Sequence, residues 1–291
     1  MSNHSAGKIK IAGYNDLFGE SMEHNEKIIE VPLTDLYSFK NHPFHIINDF
    51  DMSQMIQSVK ECGILVPGIV RKRIEGGYEI VSGHRRKYAC EMIGIDTMPV
   101  IVKDLADDEA TIAMVDANIQ REHLLYSEKA FAYKLKFEAM KHQGSKGDKL
   151  STEKIGIETS ESGRQIQRYI RLTYLLPELL NMVDNKEISF IPAVTISFMD
   201  EIQQNWLLNA INATHQYPSN KQTLEIKKYF DEGKLDQEMI FSILYAKKEK
   251  DMKLSITNEN ITRFFSDNYT KKDIEELIIQ LLEKWKQNNL Y

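Results

Sequence analysis

The sequence predicts an α+β protein, with a small mixed-sheet N-terminal domain, an all-α domain that contains a helix-turn-helix, and a helical C-terminal region. Strand and helix patterns alternate over roughly the first hundred residues, and apolar residues then recur at helical spacing. Polar breaks rich in Gly, Ser or Pro lie at 143–149 and 215–220. We therefore expect a flexible tail at 1–26 and domains at 27–125, 126–217 and 218–291.

Glycines and polar residues mark the ends of the predicted elements in the first domain. Asp51 or Ser53 is the expected cap of its first helix, and Glu75-Gly76-Gly77 separates two β-rich runs, which is a hairpin signal. The predicted elements are strands at 28–31, 68–73, 78–82 and 98–102 and helices at 51–62 and 84–93. Further helices are predicted at 107–118, 127–142, 151–159, 163–175, 178–184, 189–198, 200–213, 221–231, 236–249 and 271–287.

Composition indicates a soluble protein. Of the 291 residues, 42% are hydrophobic and 27% are charged, which is typical of globular proteins. The N-terminal segment has no apolar core, and no apolar run is long enough to span a membrane, so we expect a cytoplasmic protein without a membrane partner. Cys62 and Cys90 lie in no metal or redox spacing and are expected to be buried free thiols.

Charge is distributed unevenly along the chain. The net charge of −6 argues weakly against nucleic-acid binding. Residues 141–175, however, carry seven basic and four acidic residues, and this basic segment coincides with the predicted helix-turn-helix.

A strand that ends in glycine and opens into an arginine-bearing helix predicts a phosphate site. Gly83 follows the strand at 78–82, and His84, Arg85 and Arg86 open the next helix. Free amides at a helix start attract anions, glycine permits close approach, and the planar fork of Arg binds phosphate bidentately. The alternative is a helix whose arginines are simply solvated.

A second polar cluster follows about thirty residues later. It reads Asn118-Ile119-Gln120-Arg121 at a predicted helix end. The alternative is that these side chains only cap the helix. The Asn118 carbonyl is a candidate ligand for a Mg²⁺ ion that keeps most of its waters.

The segment 151–175 predicts a helix-turn-helix. Its second helix has apolar Ile166, Ile170 and Leu172 on the inward side. Ser162 precedes this helix, and the turn has Ser160 where glycine is often found. The candidate DNA-binding residues are Ser162, Arg164, Gln165, Arg168 and Arg171. Arg and Gln suit major-groove readout of guanine and adenine, although a charged surface helix in a bundle is the alternative.

The order of these elements, from about Ile28 to Leu176, resembles the ParB family of chromosome and plasmid partition proteins. The family usually reads Gly-Glu-Arg-Arg where this chain has Gly83-His84-Arg85-Arg86. It reads Glu-Asn-x-Gln-Arg at 117–121, where this chain begins with Ala117. The family's Gln-Pro-Arg segment corresponds to His42-Pro43-Phe44. His42 and His45 have a His-x-x-His spacing, but no neighbouring cluster supports a metal site.

The resemblance implies a ParB-like N-terminal domain that binds CTP with Mg²⁺ and a helix-turn-helix that binds a centromere-like DNA site. It implies a homodimer that CTP closes into a clamp sliding along double-stranded DNA in the nucleoid, and a Walker-type partition ATPase as partner. It places the triphosphate at Gly83, His84, Arg85 and Arg86 and at Asn118, Gln120 and Arg121. Because Ala117 replaces the family's hydrolysis-linked Glu, weak CTPase activity or none is expected.

Two other functions compete with this hypothesis. One is a transcriptional regulator of a mobile element or plasmid that uses the same scaffold without a nucleotide switch. The other is an enzyme of the ParB/sulfiredoxin-like superfamily that acts at the Gly83 turn. Against the enzyme, the nearest nucleophile is Cys90, two helical turns away.

Overall fold

The protein is described by a computed structural model that covers residues 27–144, 148–245, 264 and 269–288. The predicted tail at 1–26 and the centre of the predicted linker, 145–147, lie outside the described residues. The chain divides into two compact units, Met1–Tyr245 and Ala246–Tyr291.

The first unit begins with a five-stranded mixed sheet and its helices, which confirms the α+β class. In chain order these elements are β1 (Ile28–Pro32), a 3-10 turn (Leu33–Asp35), β2 (Leu36–Tyr37), α1 (Phe50–Cys62), β3 (Gly68–Lys72), β4 (Tyr78–Ser82), α2 (His84–Ile93) and β5 (Thr97–Val102). The strand order is β1-β5-β3-β4-β2. The β3–β4 and β1–β5 pairs are antiparallel, and the β3–β5 and β2–β4 pairs are parallel. The predicted hairpin is therefore confirmed.

The remaining elements are helical. They are α3 (Asp107–Ile119), α4 (Tyr126–His142), α5 (Asp148–Thr159), α6 (Gly163–Leu172), α7 (Pro177–Asp184), α8 (Phe190–Ile196), α9 (Glu201–Thr214), α10 (Asn220–Asp231), α11 (Gln237–Tyr245) and α12 (Lys271–Asn288). No helix in the described ranges is long and apolar enough to cross a membrane.

Strand alternation gives the sheet two apolar faces. Val70 and Ile80 lie in one buried cluster, whereas Ile69 and Val81, each one residue away, lie in another. The second cluster includes Met114 of α3 and continues through the helices that follow. The sheet and the helices that follow it therefore contribute side chains to one continuous hydrophobic cluster.

Helices α10 and α11 belong to this core. Ile226, Ile240 and Leu244 are fully or almost fully buried in it. The described residues that follow the predicted boundary at 218 therefore pack with the helical domain as far as Tyr245. The internal domain boundaries themselves stay predictions.

Two details differ from the sequence-based expectations. The first helix is capped by Asp49, whose carboxylate accepts a hydrogen bond from the Met52 amide at 2.8 Å, so neither Asp51 nor Ser53 is the cap. Cys90 is buried as predicted, but Cys62 is exposed because it lies at the solvent-facing end of α1.

A buried ammonium joins α3, α4 and α5. Lys136 of α4 is 2% exposed and forms hydrogen bonds with Asp116 of α3 and Glu158 of α5. A buried cation is tolerated when carboxylates pair with it. Burial nonetheless raises the pKa of Asp116, with Lys136 opposing the shift. This triad attaches the end of α3 to the first helix of the predicted helix-turn-helix.

Candidate functional site

The turn between β4 and α2 has the backbone geometry of an anion site. Gly83 has φ 123°, a conformation that favours glycine. A Cβ atom added there would lie 3.0 Å from Met98 Cε and 3.2 Å from Gly68 Cα, so the turn also requires glycine for close packing. No side chain caps the start of α2. The first amides of α2, together with the positive end of its dipole, are therefore not taken up by a capping side chain and can bind an anion.

Arg85 stands next to this helix start with an incompletely used guanidinium. Its Nη2 lies 3.8 Å from Asp49 Oδ1, which is an ion pair without a hydrogen bond. The same nitrogen is buried and has no hydrogen-bond partner within the described part of the chain. Asp49 is occupied as the cap of α1. Arg85 therefore retains hydrogen-bonding capacity for an anion.

Arg86 is placed differently from Arg85. Its Nη1 donates to the carbonyl oxygens of Val66 and Pro67 at 2.7 and 2.6 Å, and its Nη2 donates to Ser82 Oγ at 3.4 Å. These bonds tie the loop before β3 to the turn. A phosphate contact by Arg86 would require exchanging them.

Arg121 is the second cation that the fold brings to this turn. Burial lowers its pKa, and the charge of Arg85 lowers it further, which places the two guanidiniums within electrostatic range of each other. Glu128 and Asp49 oppose this shift. Two like charges held together in a partly buried place are unfavourable unless an anion compensates them. The structure thus brings Gly83, Arg85 and Arg121 together.

The other two residues of the second cluster have partners in the protein. Asn118 Nδ2 donates to Met114 O at 2.8 Å, which leaves its carbonyl oxygen as the atom to offer a metal. Gln120 Nε2 donates to Glu158 O on α5 at 3.4 Å. Gln120 therefore contacts the helix-turn-helix segment.

Ala117 borders a cavity of about 130 Å³ between α3 and the sheet. Ser82, at the end of β4, borders the same cavity. The remaining lining residues are Ile69, Val81, Lys103, Leu105 and Ala113. Since Ala117 has only a methyl group, it presents neither a base nor a hydrogen-bonding atom there.

Sequence reasoning weighed His42 and His45 only as metal ligands and missed Glu128, which anchors the loop before α1. The ring of His42 lies against the ring of His84, with centroids 4.0 Å apart. Glu128, which is 2% exposed, accepts hydrogen bonds from the amides of His45 at 2.7 Å and Leu125 at 3.0 Å. The spacing of His42 and His45 was a visible signal, but only the fold shows that His42 packs on the Gly83 turn. Over the described ranges, no group of three or more His, Cys, Asp or Glu side chains forms a metal-binding cluster.

Helices α5 and α6 approach each other closely across a tight turn. A Cβ on Gly156 would lie 2.4 Å from Glu161 O, so only glycine fits at this crossing. Ser160 adopts the left-handed conformation, with φ 58°, where the sequence lacks the usual glycine. Ser162 caps α6 by accepting a hydrogen bond from the Gln165 amide at 3.1 Å. Ser162 therefore has a structural task at the start of this helix.

The outward side of α6 carries basic side chains that differ in their exposure to solvent. Arg164 is exposed, and Gln165 and Arg168 are half-buried, whereas Ile166 and Leu172 are fully buried. Arg171 differs from these arginines. Its Nη2 donates to Ser197 O at 2.6 Å, and its guanidinium stacks on the rings of Tyr174 and Phe198 at 4.5 and 4.3 Å.

Sequence comparison places the chain in a known family. The family model of the ParB N-terminal domain matches residues 19–119. A probable chromosome-partitioning protein ParB of Borreliella burgdorferi is 32% identical over 185 residues, which cover 64% of this chain and 67% of that protein. The chain belongs to the ParB family. This confirms the resemblance carried by the motifs at 83–86 and 117–121.

Other relatives match over similar lengths. A nucleoid occlusion protein of Halalkalibacterium halodurans is 28% identical over 220 residues, 74% of each chain. Stage 0 sporulation protein J of Bacillus subtilis is 33% identical over 166 residues, 57% of this chain and 55% of that protein. The matches thus cover between about half and three quarters of these relatives.

Solved ParB structures match at low overall similarity. C-terminally truncated ParB of Caulobacter crescentus complexed to the centromeric parS site is 22% identical, with a TM-score of 0.42, covering 74% of this chain and 98% of that chain. The same protein complexed with CTP-gamma-S is 26% identical, with a TM-score of 0.31, covering 59% and 92%. The sequence relatives, rather than these structures, carry the family assignment.

Proposed function

We propose that this chain is a DNA-binding partition protein whose N-terminal domain binds CTP and whose α5–α6 segment recognises a centromere-like site in double-stranded DNA. CTP binding closes a homodimer into a clamp that slides along the DNA. The chain acts in the cytoplasm on the nucleoid, with a Walker-type ATPase as its partner. The partition function of the relatives supports this proposal.

The observation that carries the nucleotide site is the pair of guanidiniums beside an uncapped helix start. Arg85 and Arg121 come from separate segments, 36 positions apart in the sequence, yet the charge of Arg85 adds to burial in lowering the pKa of Arg121. Arg121 makes no side-chain hydrogen bond or ion pair in the described part of the chain, and Arg85 Nη2 has no hydrogen bond. Amides of α2 and two cations are the groups that hold a polyphosphate in proteins.

Magnesium fits this site as a companion of the phosphates. Asn118 offers one carbonyl oxygen, and no carboxylate cluster exists in the described ranges, so the phosphates and water supply the other ligands. When bound, the ion neutralises part of the triphosphate charge. Ala117 has no group that activates or orients a water, so we expect slow turnover or none.

The DNA-binding proposal rests on the outward side of α6. Arg164 is exposed, and Gln165 and Arg168 are half-buried, on a helix of ten residues whose inward side is buried. A rigid helix of this kind enters a major groove, where Arg pairs with guanine and Gln with adenine. Arg171, which is bonded to Ser197, holds the far end of α6 in place.

Calorimetry on the full-length protein tests the nucleotide site. CTP, ATP, GTP and UTP are titrated in turn with Mg²⁺, with and without DNA recovered from a genomic pull-down. We expect heat with CTP, retention of bound DNA only when CTP is present, and little phosphate release. Binding of DNA with no heat at millimolar CTP contradicts the switch and favours the regulator without a nucleotide. Brisk phosphate release contradicts the role given to Ala117.

A further inference from the structure

A pair of neutral imidazoles lies where the two nucleotide-binding segments meet. His84 is the first residue of α2, and its ring is tilted 42° to that of His42 at a centroid distance of 4.0 Å. His84 Nε2 accepts a hydrogen bond from the Phe39 amide at 3.3 Å. His42 Nδ1 lies 2.8 Å from Phe44 O. Because a carbonyl oxygen only accepts, His42 carries its proton on Nδ1.

The second nitrogen of His42 is left without a partner. Nε2 is buried and has no hydrogen bond within the described residues. In the tautomer set by Phe44, it is a bare lone pair. A buried polar atom without a partner costs stability, and such atoms in native structures often mark a functional place. His42 also interacts electrostatically with Arg121, so it bridges the Gly83 turn and the second segment.

The surroundings keep both rings uncharged when no ligand is bound. Burial lowers the pKa of His84 to about 3, with smaller contributions from His42 and Lys87. Burial also lowers the pKa of His42, and Arg121 and His45 lower it further, while the Phe44 hydrogen bond and Glu128 oppose this. The charged groups that surround the pair, or act on Arg121 beside it, are Lys87, Arg121, His45, Glu128, Arg85 and Asp49.

We propose that His42 is a further phosphate-binding residue and that the nucleotide binds together with one proton, which His42 takes up from solvent. This inference rests on the proposed nucleotide site. A phosphate oxygen carries only lone pairs, so it repels the neutral Nε2 atom. Once protonated, Nε2 donates a hydrogen bond to that oxygen, and the orphan atom gains a partner. No bond other than the N–H bond forms or breaks.

Proton uptake has a defined sign. The free protein holds His42 neutral near pH 7, and a polyphosphate beside it favours the charged form. Affinity for CTP therefore rises as pH falls between the pKa of His42 in the complex and its lower pKa in the free protein. The slope approaches about tenfold in affinity per pH unit for one proton.

Calorimetry of the full-length protein with CTP and Mg²⁺, at pH 6.5 and 7.5 in two buffers of different ionisation enthalpy, counts the protons. We expect wild-type protein to take up close to one proton more than the His42→Gln variant, whose amide does not titrate. His142→Gln is the matched control, because His142 lies on α4 and pairs with Asp108 at 3.2 Å. It should behave as wild type. The phosphate groups of CTP titrate equally in all three titrations, so the difference between proteins reports His42.

Three outcomes distinguish the inference from the site on which it rests. Equal proton uptake by wild type and a folded His42→Gln variant overturns the role of His42 and leaves nucleotide binding intact. If His42→Gln does not fold, His42→Asn takes its place, and equal proton uptake by wild type and that variant overturns the role of His42. No CTP heat at all overturns both this inference and the nucleotide site.

Discussion

At the scale of single residues, neighbouring arginines have separate tasks. Arg86 donates hydrogen bonds to two carbonyl oxygens and a hydroxyl of the protein, and its guanidinium therefore holds the loop at 66–67 in place. Arg85 has a buried nitrogen without a hydrogen bond, and burial lowers the pKa of Arg121, with a further contribution from the charge of Arg85. Adjacent residues on a helix point in different directions. The guanidinium of Arg86 therefore contacts the loop, whereas that of Arg85 faces the proposed phosphate site.

Arginine substitutions separate these two tasks. Arg85→Ala and Arg121→Ala should abolish CTP heat in calorimetry while changing the melting temperature little, because each removes the repulsion between the two guanidiniums together with the attraction to Asp49. Arg86→Ala should lower the free energy of unfolding by about 1–3 kcal/mol, since it leaves two carbonyl oxygens without their donor. Denaturant titration supplies the second measurement. Undiminished CTP affinity in both Arg85→Ala and Arg121→Ala would place the phosphates elsewhere.

The sequence predicted the motif residues but not their partners. The Gly83 turn and the arginines were visible because strand, glycine and helix follow one another locally. The carbonyl oxygens that bind Arg86 and the Ser197 carbonyl that binds Arg171 carry no sequence pattern, because backbone acceptors exist at every position. His42 was seen only as a weak metal candidate, since its contact with His84 spans 42 positions.

At the scale of elements, α5 and α6 form a rigid pair. Gly156 and Gly163 allow the backbones to meet, Ser160 turns the chain with φ 58°, and Ser162 caps α6. The periodic pattern predicted both helices and the buried Ile166 and Leu172, because burial of one face repeats along a helix, whereas Ile170 is half-buried. The parallel pairing of β2 with β4 was not predicted, because two residues are too few to show alternation.

Substitutions on α6 should distinguish residues that contact DNA bases from a residue that stabilises the helix. Arg164→Ala and Arg168→Ala should each cost about 1–3 kcal/mol in specific DNA binding and relax the sequence preference, because a lost bidentate contact no longer discriminates bases. Arg171→Ala should instead lower the melting temperature, since it removes the Ser197 bond and the stacking on Tyr174 and Phe198.

Fluorescence anisotropy with the cognate site and with scrambled DNA measures both affinities for each α6 variant. Lys234→Ala, at an exposed position paired with Glu232, is the control and should leave both affinities unchanged. If Arg164→Ala and Arg168→Ala retain full discrimination, the DNA-reading surface lies on another element.

At the scale of the whole molecule, the last described helix carries a row of exposed apolar side chains. Leu281, Leu282 and Trp285 of α12 are 56%, 59% and 65% exposed. With Ile274, Leu277 and Ile278 they form the stripe that the sequence predicted as an association face. Apolar patches of this kind on soluble proteins often mark interaction sites. A second copy of the chain is the occupant that the proposed clamp requires.

Truncation tests whether α12 joins two copies of the chain. The hydrophobic core of the first unit sets the position at which the chain can be shortened. Ending the chain near 218 would remove Ile226, Ile240 and Leu244 from the first unit, so loss of dimer there would only report unfolding. A chain that ends at Tyr245 keeps that core. Without DNA or CTP it should sediment as a monomer at concentrations where the full chain is a dimer.

Leu281→Glu in the full chain should have the same effect, because a buried charge opposes association, whereas Gln280→Glu on the exposed side should not. Dimers of equal strength in the truncated and full chains would show that α12 packs elsewhere and that the first unit alone holds the two copies together.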